Sequence, residues 1–458
     1  MKKLLLSWLF IGAITTVTGF VGALYPLLSI LLIFPVVSFW FLIRPVGNVV
    51  RKRVVAQQWS EVFLMGVLLF IWGLHASGIM VPETGFDAVW YHLPVIDRFL
   101  EYHRIVYVPE YYQSVNPLLS DLIFLLGYQV AGEVGAKAIA YSLALTLLMI
   151  SYRLARLYLS QFWSLLFIIQ VSLIQVVTWQ ASSFYVDVAK AMWELGAMYL
   201  LLANPTQKTG TKETILSGLF FGASLATKQF SLLLLPVMLV IVYLKDKNVR
   251  LSCYWLLAAL FVPLPFYTYS WMATGDPFFS ISIHLAKINE IGSNISPLSH
   301  FMTQLLSLPY LLWHLLFEAR DYVSPLLLLL TPFALLQRKM LHTYWPLLVF
   351  SFGQFLIWWF VPPLSTRYAL SGFVTLLLVL FIATADWIKK NSKWNGAIIG
   401  GILLVSGFLL LPRLYVLTRN LRYLSGHQNK TEYLHLFFDG NNDQHLIKWH
   451  QLEFSPGD

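Results

Sequence analysis

The chain has a single cysteine, Cys253, among 458 residues. One thiol excludes an intramolecular disulfide and any metal site built from cysteines. Charge is scarce too: Asp, Glu, Lys and Arg together make up 12% of the chain, about half of what an ordinary soluble domain carries. So little charge excludes a soluble globular class. No repeat at a solenoid period is visible, nor an inverted pair of Gly- or Pro-broken segments of the kind transporters use.

Apolar residues fill the space that charge leaves. They reach 58%, with aromatics at 16% and a mean hydropathy of +0.68. Apolar runs near 20 residues long alternate with short charged loops, which predicts an all-α, polytopic transmembrane bundle of about thirteen spans. The net charge of +9 then reads as a topology signal, not a footprint for nucleic acid. The N-terminus imitates a secretory signal, with Lys2 and Lys3 before an apolar core, but a second apolar run follows at once and no small-x-small cleavage site is clear. It reads as an uncleaved first span.

The charge alternation divides the chain. Residues 1–60 form a helical hairpin and a cytoplasmic loop carrying Arg44, Arg51, Lys52 and Arg53. Residues 61–271 form a core of about seven spans with an outer loop at 82–117. A second long outer loop covers 272–322, further spans cover 323–412, and 413–458 is a short external tail. Residues 118–130 are too short to span and carry Asp121, so they read as an interfacial or re-entrant piece. Arg413, Arg419 and Arg422 depart from the basic-inside trend, which suggests either lipid phosphate binding or a miscounted hairpin.

The outer loop is the first long polar stretch. It holds Glu83, Asp87, His92, Asp97, Glu101, His103 and Glu110 among Trp90, Tyr91, Tyr111 and Tyr112. Carboxylates and imidazoles beside a membrane suit chemistry on an amphiphilic substrate. Asp87 can be a base, or it can cap the helical stretch that follows it. Asp187, between two spans, is costly near hydrocarbon and is either functional or a turn cap with Ser182 or Ser183. Lys228 and Arg367 fall at outer helix ends, where they can bind phosphate or snorkel to head groups. His92 can ligate a metal, bind phosphate or simply be hydrogen-bonded. Trp90 and Tyr91 can stack on a sugar or join an interfacial aromatic belt. Lys190 and Glu194, four apart on one helix face, can pair.

In this order the motifs resemble the GT-C superfamily of polyprenyl-phosphate-sugar glycosyltransferases, among them protein O-mannosyltransferases, aminoarabinose transferases and oligosaccharyltransferases. The residues that carry the resemblance are the Asp87-Ala-Val-Trp90-Tyr91-His92 stretch, Tyr185-Val-Asp187, Thr227-Lys228, the Gly275-Asp276-Pro277-Phe278 entry to the long loop, and Arg367-Tyr368. The resemblance implies an inverting hexosyl- or pentosyltransferase of the inner membrane, with its site facing the periplasm or outside. It moves a sugar from a polyprenyl-phosphate donor to a lipid, glycan or protein acceptor. Asp87 is then the base, Lys228 and Arg367 bind the donor phosphate, and Asp187 and His92 serve as a metal ligand or supporting acid. Glu83, Trp90, Tyr91 and His284 are substrate contacts. A divalent metal ion is an open expectation, since Asp87 has no acidic neighbour closer than Glu83. The competing readings are a transporter or flippase of lipid-linked glycans, which would place charges deep in several spans, and a polymerase or ligase of such glycans.

Overall fold

The computed structural model describes residues 1–26, 31, 55–203, 208–283, 297–310, 313, 323–337, 343–360, 365–438 and 443–452. Most of the expected second span, at 25–43, and the basic loop after it therefore lie outside the described residues. Among those described, the regular structure is helical throughout. The elements that build the site are α1 (Lys2–Phe20), α2 (Val55–Ala76), α3 (Leu93–Glu101), α4 (Leu119–Ala155), α5 (Gln161–Leu173), α6 (Asp187–Leu202) and α7 (Thr211–Leu225). They are followed by α8 (Leu235–Asp246), α9 (Trp345–Phe360), α10 (Leu370–Lys390), α11 (Asn395–Leu424), α12 (Lys430–His435) and α13 (Asp443–His450).

Six helices are long and apolar enough to cross a membrane, or seven if Val249–Phe261 and Leu264–Thr274, bent by 48°, count as one span. Three shorter apolar helices, Gln161–Leu173, Leu326–Leu336 and Trp345–Phe360, complete the apolar set among the described residues. This is an integral membrane protein. The helices differ in what they face. Of the apolar window in Thr366–Lys390, 89% is buried, against 28% in Trp59–Met80 and 22% in Ser392–Leu424. The first is a core helix. The other two keep their apolar side chains at the periphery, where lipid tails are an adequate solvent.

Small residues set the closest approaches. At Gly218 a Cβ would lie 2.4 Å from the Trp255 carbonyl oxygen, and at Gly222 2.5 Å from that of Ala259. The helix Val249–Phe261 can lie against α7 only because these positions have no side chain.

Residues 119–130 form a helix of their own at the head of α4, where two helices meet at a break at Ala131 and Gly132, the latter at φ 56°. There the chain doubles back, and a Cβ at Gly127 would sit 2.3 Å from the Gly135 carbonyl oxygen. The expected loop at 272–322 contains a ten-residue helix, Pro297–Leu306. The tail does not begin at 413, because α11 runs for 30 residues to Leu424 with Pro412 inside it. Beyond it, α12 starts on a capping box between Asn429 and Glu432, and Tyr433, Leu434 and Leu446 pack on Val81 and Val89. The tail thus lies against the Asp87 loop.

Candidate active site

The loop before Asp87 is held by a carboxylate. Glu83 is 2% exposed. Its Oε1 accepts from the Thr84 and Gly85 N–H groups at 2.9 and 2.8 Å and from Ser183 Oγ at 2.7 Å. Its Oε2 accepts from the Phe184 N–H at 2.9 Å. A buried carboxylate with four donors joins two loops. Glu83, expected as a substrate contact, acts in the fold as a clasp between them.

Downstream, the Asp87 N–H donates to the Tyr185 hydroxyl at 2.9 Å. Residues Ala88–His92 then form a single wide turn of π-helix that leads into α3. Such turns re-aim side chains and recur at functional sites. His92, expected as a metal ligand or supporting group, is 4% exposed, and its Nδ1 lies 2.5 Å from Asp121 Oδ1. That contact ties the loop to the first turn of α4. The same turn is tied to the Thr227–Lys228 corner: the Leu119 N–H donates to the Ala226 carbonyl at 2.9 Å, and Ser120 Oγ meets Thr227 Oγ1 at 2.9 Å.

Four of the residues singled out in the sequence come together. Arg367 Nη1 donates to Asp87 Oδ2 at 2.8 Å, and its Nε lies 3.9 Å from Asp187 Oδ2. Lys228 Nζ donates to Asp187 Oδ1 at 2.5 Å, while Gln180 Nε2 donates to Oδ2 at 2.9 Å. The two cations share aromatic walls. The Arg367 guanidinium lies 5.4 Å from the Tyr185 ring centre and 5.1 Å from that of Tyr368, and Lys228 Nζ is 4.3 Å from the same Tyr368 ring. Two acids and two bases are thus balanced in one cluster. Arg367 and Asp87 keep 18% and 13% of their side-chain surface exposed, whereas Asp187 keeps none. The cluster is sealed on the Asp187 side and open on the Asp87 side.

One donor in the cluster is left over. Arg367 Nε is buried and makes no hydrogen bond among the described residues. A buried N–H without an acceptor is costly, and here the nearest carboxylate oxygen, Asp187 Oδ2, lies 3.9 Å away.

Tyr91 stands beside this cluster, where burial pushes its phenol well above its ordinary value of 10.0, so it remains a neutral hydroxyl. Trp90 packs on Phe86 and on His445 of α13, with ring centres 5.3 and 6.0 Å apart. His284 lies outside the described residues. No group of three His, Cys, Asp or Glu side chains is placed to hold a metal ion among the described residues. Both acids of the cluster are already matched by cations.

Several groups around the site carried little signal in the sequence. Glu133, just after the α4 break, accepts from the Glu83 N–H at 2.9 Å and from Trp449 Nε1 at 2.6 Å. His450 Nε2 donates to the Glu83 carbonyl at 2.8 Å. The tail is thereby fastened to the loop. Behind the loop lies a cavity of about 190 Å³, bounded by residues that include His75, Glu83, Lys137, Gln175, Arg413 and Asn420. Asp87 is not among the residues that line it.

No protein-family model and no curated protein matches the chain by sequence. Solved structures do match in fold. ArnT from Cupriavidus metallidurans bound to undecaprenyl phosphate superposes with a TM-score of 0.52 at 13% identity, over 85% of this chain and 74% of that one. The apo form of the same protein gives 0.50 at 14% identity, over 87% and 75%. The Archaeoglobus fulgidus oligosaccharyltransferase tethered to an acceptor peptide gives 0.49 at 12% identity, over 79% and 55%. The ArnT matches show that the chain has the GT-C membrane fold.

Proposed function

We propose that this chain is a GT-C glycosyltransferase that moves a sugar from a polyprenyl-phosphate donor to a hydroxyl-bearing lipid, glycan or protein acceptor. The observation that carries the reading is the Asp87–Arg367–Asp187–Lys228 cluster, in which Arg367 Nε has no acceptor among the described residues. It lies in a chain whose fold matches that of a protein solved with undecaprenyl phosphate. The site belongs to the outer face of the inner membrane.

The chemistry is a single displacement at the anomeric carbon, with inversion. The acceptor oxygen forms the new bond to C1, the bond from C1 to the phosphate oxygen breaks, and both electrons leave with polyprenyl phosphate. The acceptor proton passes to Asp87, whose carboxylate is the more exposed acid of the pair. Arg367 and Lys228 receive the charge that builds on the departing phosphate, in fixed positions that need no reorganisation. Asp187 does not touch the reacting atoms; it holds the two cations apart and aimed.

The transporter reading expects charges deep in several spans. Among the described residues the Lys190–Glu194 pair is such a charge pair, but both side chains are closed off, at 1% and 0% exposure. In the cluster, by contrast, Arg367, Asp87 and Lys228 keep 18%, 13% and 18% of their side-chain surface exposed, which leaves them reachable by a ligand.

Binding of undecaprenyl phosphate to the purified full chain in detergent tests the reading directly. The wild type should bind, and Arg367→Ala should weaken binding by about tenfold or more, since a charge-assisted phosphate contact is worth about 1.5–3 kcal/mol. No binding by the wild type, or equal binding by Arg367→Ala, would refute the assignment.

A further inference from the structure

Two turns below Asp187, α6 carries a charged pair at a depth where charge is expensive. Lys190 and Glu194 are 1% and 0% exposed and lie 2.9 Å apart. Burying both ions costs several kcal/mol each before any return, and ionisable groups at such depth have a task more often than not. The partners show what the task is. Glu194 Oε1 accepts from Ser231 Oγ at 2.8 Å. Its Oε2 accepts from Ser371 Oγ at 2.5 Å and from Gln354 Nε2 at 3.0 Å. Lys190 Nζ donates to the Tyr368 carbonyl at 3.0 Å. One carboxylate and one ammonium therefore join α6, the turn before α8, α9, α10 and the turn that opens α10.

Those are the elements that carry the site cations and the acid between them. Ser231 is three residues past Lys228, Tyr368 is next to Arg367, and Ser371 is four past it. Lys190 and Glu194 are three and seven past Asp187, on the same helix face. Gln354 reaches the pair because α9 and α10 meet closely: a Cβ at Gly372 would be 2.5 Å from Gln354 Cβ.

Resting on the function proposed above, we infer that Lys190 and Glu194 are positioning residues for the donor phosphate: they set the spacing of Lys228, Arg367 and Asp187 from below without touching substrate. A displacement of about 1 Å in such groups costs up to about a hundredfold. A pair with only a packing role would alter stability and leave phosphate affinity alone.

The experiment measures undecaprenyl phosphate affinity and thermal transition for the full chain in detergent. The double variant Lys190→Met with Glu194→Met removes both charges at near-constant volume, a change that folded proteins often tolerate. Ser217→Ala is the packing control: Ser217 Oγ accepts from Trp255 Nε1 at 3.0 Å and donates to the Ala197 carbonyl at 3.0 Å, away from the pair. The double variant should lose about tenfold or more in affinity with a transition no lower than that of Ser217→Ala, which should bind as the wild type does. Should the double variant not fold, Ser371→Ala deletes one contact to Glu194 and should still weaken binding by about threefold or more. Wild-type affinity in the folded double variant, or in Ser371→Ala, would overturn the positioning role and leave the proposed function standing. An absence of binding in the wild type would overturn both.

Discussion

Replacing Asp87 with asparagine exchanges one carboxylate oxygen for an amide and removes one of two negative charges. The contact to Arg367, 2.8 Å in the native chain, survives because asparagine keeps an oxygen that accepts. A hydrogen bond to a charged partner contributes about 1.5–3 kcal/mol, and a neutral one about 1 kcal/mol. Arg367 also keeps Asp187 at 3.9 Å, so it is not left without a counter-charge. The loss of stability is therefore about 1 kcal/mol, a shift of a few degrees at most in a chain of this size. The loss of activity is of another order. A positioned base contributes about 10²–10⁴-fold, or about 2.7–5.4 kcal/mol of barrier. Nothing nearby can replace it: the Glu83 oxygens are taken by four donors, His92 is held by Asp121, and the Tyr91 phenol is kept protonated by burial. The assay compares cell-surface glycans by mass spectrometry in cells lacking the gene, cells with the wild type and cells with Asp87→Asn at matched protein level. The variant should resemble the cells that lack the gene. Near-normal glycans at matched level would place the base elsewhere. A transition lowered by more than about 10 °C would mean that the energetics above are wrong.

Two other perturbations follow from the same geometry. At Gly85 an added Cβ would meet Tyr185 Cε2 at 2.4 Å and Ser183 Oγ at 2.8 Å, and Tyr185 is itself buried. Gly85→Ala should therefore cost about 1–3 kcal/mol and, by displacing the hydroxyl that the Asp87 N–H donates to, lower glycan transfer well below the wild type; unchanged transfer would dissociate that contact from activity. Burial lowers the His450 imidazole below its ordinary 6.5, so the folded tail binds fewer protons than the free tail. Its docking is fully stable above about pH 6.5 and weakens as pH falls below it. Limited proteolysis should cut the tail faster at pH 5 than at pH 7.5, and equal rates would contradict the role of the His450–Glu83 contact.

The helical membrane class could be read from composition and run length alone, and Asp87 stood out as an acid at the head of the first polar stretch. Lys228 and Arg367 lie 41 and 180 residues beyond Asp187 in the chain, yet each of the three stood out locally as a charge at a helix end. What periodicity could not show was pairing. Glu83 looked like a free loop carboxylate because its donors Ser183 and Phe184 are about a hundred residues away. His92 looked available because Asp121 sits inside an apolar run with no local mark of its partner. The tail reads from the sequence as starting at 413, but α11 continues past Pro412 to Leu424 with Arg413 and Asn420 buried. The fold-back within α4 was partly legible: residues 118–130 are too short to span and read as an interfacial or re-entrant piece, while the positive φ of Gly132 that makes the break had no mark in the sequence.

The charge balance of the cluster also bears on the proposed transfer. Arg367 donates to Asp87 at 2.8 Å, so the carboxylate is engaged by a guanidinium. On the proposed function, a donor phosphate adds negative charge where Arg367 Nε has no acceptor among the described residues. It competes with Asp87 for the same guanidinium, and phosphate and guanidinium match in geometry as well as charge. Asp187, buried and paired with Lys228 at 2.5 Å, holds the second cation in place. On the proposed function, one fixed arginine thus meets both the base and the departing phosphate, so a change at Arg367 alters donor binding and proton transfer together.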